Sequence, residues 1–130
     1  MILLDTHVVV WLALEPHRIS RPGQAAIDKA RQAVRGLAIS DFTLVELSML
    51  FRKKQFELIG NPEAFLSEVD RRFVVLPFTA NIALQALELP STYPKDPADR
   101  IIGATALIED IPLITADQAI RKSRAVPTIW

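Results

Sequence analysis

Cysteine is missing from the 130-residue chain. Its absence excludes disulfides, thiolate zinc sites and cysteine nucleophiles together. Net charge is missing too, because 15 Lys and Arg balance 15 Asp and Glu. The chain therefore lacks the overall basic excess of a polyanion-binding protein. The balance still conceals clusters, at Arg52-Lys53-Lys54, at Arg71-Arg72 and at Arg121, Lys122 and Arg124. Each reads either as a solvated face or as a basic flank to a more acidic centre. Long apolar runs are also missing. In the N-terminal MILLDTHVVVWLALEP no basic region leads, Asp5 interrupts, and Val8 to Leu14 falls far short of the roughly 20 residues that span a bilayer. A strand followed by a helix is expected there, in a cytoplasmic protein with no membrane association.

Half of the residues are apolar and 23% are charged, a composition that favours a packed core over disorder. The length suits one domain over residues 1–130. No repeat, low-complexity stretch or linker divides it. Short apolar runs alternate with helical periods. Strands are predicted at Ile2–Leu4, Leu37–Ile39, Phe73–Leu76, Pro112–Thr115 and Pro127–Trp130. Helices are predicted at His7–Leu14, about Gly23–Val34, Asp41 to about Gln55, from Asn61-Pro62 to near Arg72, from a Thr79 cap to Glu88, from Asp96-Pro97 to Glu109, and Ala116–Arg121. Strands alternating with helices indicate an α/β fold, a parallel sheet with helices on both faces. Ligands of such sheets bind outside the carboxyl ends of the strands.

Four acids fall near those ends. Asp5 closes the first strand, Glu46 lies two turns into the helix after the second, Asp99 opens the helix leading to the fourth, and Asp117 follows the fourth. Each has a local alternative. Asp5, Asp96 and Asp117 suit helix caps, and Thr43-Leu44-Val45-Glu46 matches a capping box. Asp99 resists such an account. Ile102, Gly103 and Ala106 continue its face of the helix at i+3, i+4 and i+7. A carboxylate above a buried stripe is poorly hydrated and needs a compensating charge. Gly103, one turn below, would let a neighbouring backbone approach, and Arg100 points elsewhere on the helix. Two carboxylates about 5 Å apart repel by roughly 3 kcal/mol at an effective dielectric near 20. Such a group takes up protons or binds a divalent ion. Oxygen ligands without thiolates select Mg²⁺, with Mn²⁺ as a substitute, over zinc. His7 and His17 lack a shared metal-binding spacing and are expected to be structural or solvent-facing.

LLDTH at residues 3–7, a Ser40-x(5)-Glu46 element, DPADRIIGATA from Asp96 and LITAD at Leu113–Asp117 occur in this order. Together they resemble the PIN domain family, in the single-domain form of VapC-type toxins from bacterial toxin–antitoxin pairs. The resemblance implies a sheet in the order 3-2-1-4-5 and a Mg²⁺-dependent ribonuclease. It places the family's acids on Asp5, Glu46, Asp99 and Asp117, as metal ligands and catalytic groups, with Asp96 a contender for the third place. It also matches Thr6 and Thr115 to polar neighbours that orient carboxylates or a bound water. The implied partners are an RNA substrate, a protein antitoxin and a second copy of the chain. Val8 to Leu14, apolar around the whole helix, suits either burial in its own domain or such a partner. A haloacid-dehalogenase phosphatase would need a second Asp where His7 stands. The remaining alternative is a non-catalytic PIN-like interaction module whose carboxylates only cap helices.

Overall fold

Ile2–Leu4 form β1, the central strand of a five-stranded sheet in a computed structural model that describes residues 1–53 and 60–130. Leu3 pairs with Ala38 of β2 (Leu37–Ser40) on one side and with Leu113 of β4 (Leu113–Ile114) on the other. Outside these lie β3 (Val74–Leu76) and β5 (Thr128–Ile129), giving the order β3-β2-β1-β4-β5 with every pair parallel. The crossovers are α1 (Thr6–Leu14) and α2 (Arg21–Ala30), α3 (Asp41–Arg52) and α4 (Pro62–Arg72), α5 (Ala80–Glu88) and α6 (Pro97–Glu109), then α7 (Gln118–Ser123).

Side chains alternate across a strand, and the alternation divides the core in two. Leu4, Ile39 and Ile114 meet Val8 and Val9 of α1, Ile27 of α2, Leu47 of α3 and Val69 of α4. Leu3, Ala38 and Leu113 meet Ile102 and Ala106 of α6, Ile120 of α7, and Leu89 and Tyr93 between α5 and α6. Each fully buried Leu or Ile is worth roughly 1.5–3 kcal/mol. Among the described residues no helix is long and apolar enough to cross a membrane.

Among the described residues the seven α-helices each open on a polar cap, formed in turn by Asp5, Ser20, Ser40, Asn61, Thr79, Asp96 and Asp117. The ends differ more from expectation. Helix α2 stops at Ala30 rather than near Val34, because the chain folds back and a Cβ on Gly36 would stand 1.7 Å from the Ala30 carbonyl oxygen. Helix α7 starts at Gln118 because Asp117, not Ala116, is its cap. The expected end of α3 at Gln55 and the cluster residue Lys54 lie outside the described residues.

Two surface features lie away from the carboxyl ends of the strands. A groove of about 430 Å³ between α1 and α4 is lined by Leu12, Ala13, Leu37, Phe65, Val69 and Arg72 among others, and none of the four acids borders it. Arg71 and Arg72 pair with Glu68 just before β3 begins, on the edge of the sheet opposite Asp5, so this basic pair does not flank the acids. Helix α1 is used mainly by its own domain. Val8, Val9 and Val10 are buried, and Trp11 packs against Trp130 beneath the Arg18 guanidinium.

Candidate active site

The carboxyl edge of the central strands carries a continuous hydrogen-bonded chain. The Asp117 N–H donates to Thr115 Oγ1 (3.1 Å), and the Thr115 hydroxyl donates to Asp5 Oδ2 (2.7 Å). Asp5 Oδ1 accepts from the Thr6 N–H (2.8 Å), and Thr6 Oγ1 donates to Glu46 Oε1 (2.5 Å). Thr43 Oγ1 lies 3.1 Å from Thr6 Oγ1. With the single Thr6 hydroxyl hydrogen directed at Glu46, Thr43 is the donor of that pair. Residues from the start of α1, from α3 and from the segment after β4 are thus linked through three buried threonines.

Local and functional readings coincide at Asp5. It caps α1, yet the residue as a whole is only 7% exposed. Burial raises its pKa above the ordinary value; Thr115, His7 and the Thr6 N–H oppose that rise, and Asp117 adds to it. Glu46 does not act in a capping box. Ser40 caps α3, and the Glu46 carboxylate reaches across to α1 instead. Its pKa is raised by burial, against the Thr6 hydrogen bond, with further upward pressure from Asp5 and Asp96 and relief from His7.

Asp99 occupies the first turn of α6, and its N–H donates to the cap Asp96 at 3.1 Å. Its carboxylate is half-buried, with Ile102, Gly103 and Ala106 buried below it, as the helical spacing requires. Burial first, then the charges of Asp5, Asp96, Asp117 and Glu46, push its pKa up to about 7. Among the described residues none donates a hydrogen bond to that carboxylate. Arg100 turns away, with Nη1 donating to the Ala86 oxygen at 3.1 Å and to the Leu89 oxygen at 3.4 Å. Asp117 caps α7 by accepting from the Ile120 N–H at 3.0 Å, and Asp96 remains an exposed cap.

The four acids share one electrostatic neighbourhood. Among the described residues, however, no three acids or histidines converge on a point where an ion would be held as they stand. The donor set, all oxygen and all anionic, suits a hard divalent cation. What it lacks in this conformation is convergence, since Asp5, Glu46 and Asp117 direct oxygens at threonine and backbone donors.

Sequence reasoning missed two neighbours of this edge and misjudged one glycine. Thr43 stands three residues before Glu46 and faces the same way, a spacing that marked it. Tyr93 carries no such mark, because it belongs to a loop. The Gly103 notch is filled by the Tyr93 ring rather than by a neighbouring backbone. His7 and His17 are exposed as expected, although the His7 charge acts on Asp5 and Glu46.

A doubly wound parallel sheet with carboxylates crowded beyond its central strand defines an acid-centred α/β domain. The chain belongs to the PIN domain family, whose sequence model matches residues 2–125. It is similar to "Ribonuclease VapC22" of Mycobacterium tuberculosis, with 33% identity over 99% of this chain and 98% of that protein. In fold it is similar to VapBC2 from Rickettsia felis, solved bound to a promoter DNA fragment (TM-score 0.72, 19% identity, 98% and 97% of the two chains). A toxin–antitoxin complex from Klebsiella pneumoniae is a further neighbour (TM-score 0.67, 21% identity, 97% and 95%).

Proposed function

We propose that the chain is a Mg²⁺-dependent ribonuclease that hydrolyses RNA phosphodiester bonds, with Mn²⁺ as a substitute ion. The observation that carries this reading is that Asp5, Glu46, Asp99 and Asp117, from distant parts of the sequence, share one electrostatic neighbourhood, in which burial and the other acids' charges push Asp99 up to about 7. Such a cluster is relieved by a divalent ion, which when bound lowers the pKa of water and offsets charge on phosphate oxygens. Asp5 and Asp99 are the residues assigned to direct contact with the ion. Glu46 and Asp117 are assigned to its outer contacts or to a second ion. Thr115 and Thr6 hold the Asp5 and Glu46 carboxylates by donating to them. Among the described residues this edge offers no covalent nucleophile, and the reaction needs no ribose 2′-hydroxyl: water attacks phosphorus, the bond to the 3′-oxygen breaks, and the products carry 5′-phosphates and 3′-hydroxyls.

Cleavage of single-stranded RNA by the wild type and by Asp99→Asn, each with Mg²⁺ and with EDTA, tests the reading. Activity is expected only in the wild type with Mg²⁺. Equal activity in all four conditions rejects the metal site, and a 2′,3′-cyclic phosphate product rejects the mechanism. One observation favours the non-catalytic alternative, namely that Asp5, Asp96 and Asp117 all serve as caps. Capping leaves the half-buried Asp99 carboxylate unexplained.

The similarity to toxin–antitoxin complexes supports a protein antitoxin as partner and a toxin's role for this chain. A homodimer is proposed from the family resemblance alone, and gel filtration that finds only monomer at micromolar concentration removes it.

A further inference from the structure

Tyr93 is the only tyrosine in the chain. It stands in the loop between α5 and α6, yet it is 1% exposed. Its N–H donates to the Pro90 oxygen at 3.0 Å, and its hydroxyl donates to the Asp99 carbonyl oxygen at 3.0 Å. The ring occupies a notch in α6 left by Gly103. A Cβ at that position would stand 2.2 Å from Tyr93 Oη and 2.7 Å from Cζ. Both distances are far inside contact, so any side chain at 103 displaces the ring. Asp99 and Gly103 are one turn apart, and the phenol enters that turn hydroxyl first, with Oη as its atom nearest the Gly103 Cβ position. Burial, followed by the charges of Asp99, Asp5 and Asp117, raises the pKa of the hydroxyl and keeps it a donor.

A contrast within the site gives this contact its meaning. Asp5, Glu46 and Asp117 each have side-chain oxygens held by a threonine or a backbone N–H. The Asp99 carboxylate has no such donor among the described residues, so its direction is set by the helix that carries it. We propose that Tyr93 is the positioning residue for Asp99. Its hydroxyl on the Asp99 carbonyl and its ring in the Gly103 notch fix the roll and height of the first turn of α6, and hence the aim of the carboxylate. A ring that only filled space would need no hydroxyl, and the Asp99 oxygen is the acceptor this one has. The inference rests on the metal-site reading above and adds a residue to it.

The test is titration of the metal-free protein with Mn²⁺, read by electron paramagnetic resonance, in the wild type and in Asp99→Asn, Tyr93→Phe and Thr105→Ala. Thr105 is buried in the same helix and donates to the Ile101 oxygen, so its loss loosens α6 without touching Asp99. Tyr93→Phe is expected to bind Mn²⁺ roughly tenfold more weakly, at the low end for partners that orient metal ligands, while Thr105→Ala stays near the wild type. Unchanged binding in Tyr93→Phe overturns the inference, as does equal weakening in both variants. Wild-type protein that binds no Mn²⁺, or binding unaffected by Asp99→Asn, removes the metal-site reading and this inference with it. A second measurement uses wild-type protein carrying ¹³Cζ-tyrosine, which gives a single resonance. That resonance is expected to move on Mg²⁺ addition and to stay still in Asp99→Asn. If Tyr93→Phe does not fold, an unmoved wild-type resonance overturns the inference by itself.

Discussion

The Asp99 carboxylate ties the stability of the ion-free protein to pH. Its folded pKa of about 7 lies above its ordinary value of 3.8. Between those two pH values the folded chain keeps a proton that the unfolded chain releases. The contribution is therefore fully present at low pH and is lost as pH rises toward 7. In EDTA, the melting temperature of the wild type should fall relative to Asp99→Asn between pH 5 and pH 8, and Mg²⁺ at pH 8 should restore it in the wild type alone. Parallel melting curves for the two proteins across this range would contradict the assignment. Thr6 is the second residue to examine, since it is 2% exposed and donates to Glu46. Thr6→Val leaves the Glu46 oxygen and the Thr43 hydroxyl without their partner and should cost about 1–3 kcal/mol by chemical denaturation, whereas Thr6→Ser should recover most of it. The placement of the acids was legible because strand ends and the Asp99 stripe are sequence-local facts. The links from Thr6 to Glu46 and from Thr115 to Asp5, 40 and 110 residues apart, are not. Tyr93 was invisible for the same reason, since its function lies in a contact made across a turn of another element.

Helix beginnings were readable and helix endings less so. A capping side chain satisfies N–H groups only a few residues away, so Ser40, Asn61, Thr79 and Asp96 announce their helices in the local sequence. The end of α2 at Ala30 is imposed instead by the return of the chain at Gly36. Ser40 joins both levels, as the last residue of β2 and the cap of α3. Ser40→Ala should lower stability by about 0.5–2 kcal/mol. The stripe on α6 is a larger support. Ile102 is 1% exposed and packs against the Leu3 and Leu113 face of the sheet. Ile102→Ala should cost about 2–5 kcal/mol, measured by urea unfolding. A loss below 1 kcal/mol would mean that α6 is not anchored where its burial places it.

At the scale of the whole molecule, the alternation of strands and helices implied a parallel sheet, but strand order did not follow from it. Strands of two to four residues carry too little pattern to choose their neighbours. The order 3-2-1-4-5 came from the resemblance, and the pairing of Leu3 with both Ala38 and Leu113 agrees with it. This order makes β1 central although it precedes the other four strands in the sequence. The Thr115 hydroxyl that holds Asp5 comes from the other end of the chain. A chain extended only as far as α6 therefore holds Asp5 and Glu46 without Thr115 and Asp117. Docking of β4 beside β1 is therefore the step that completes this acidic edge, whatever the order in which the other strands assemble.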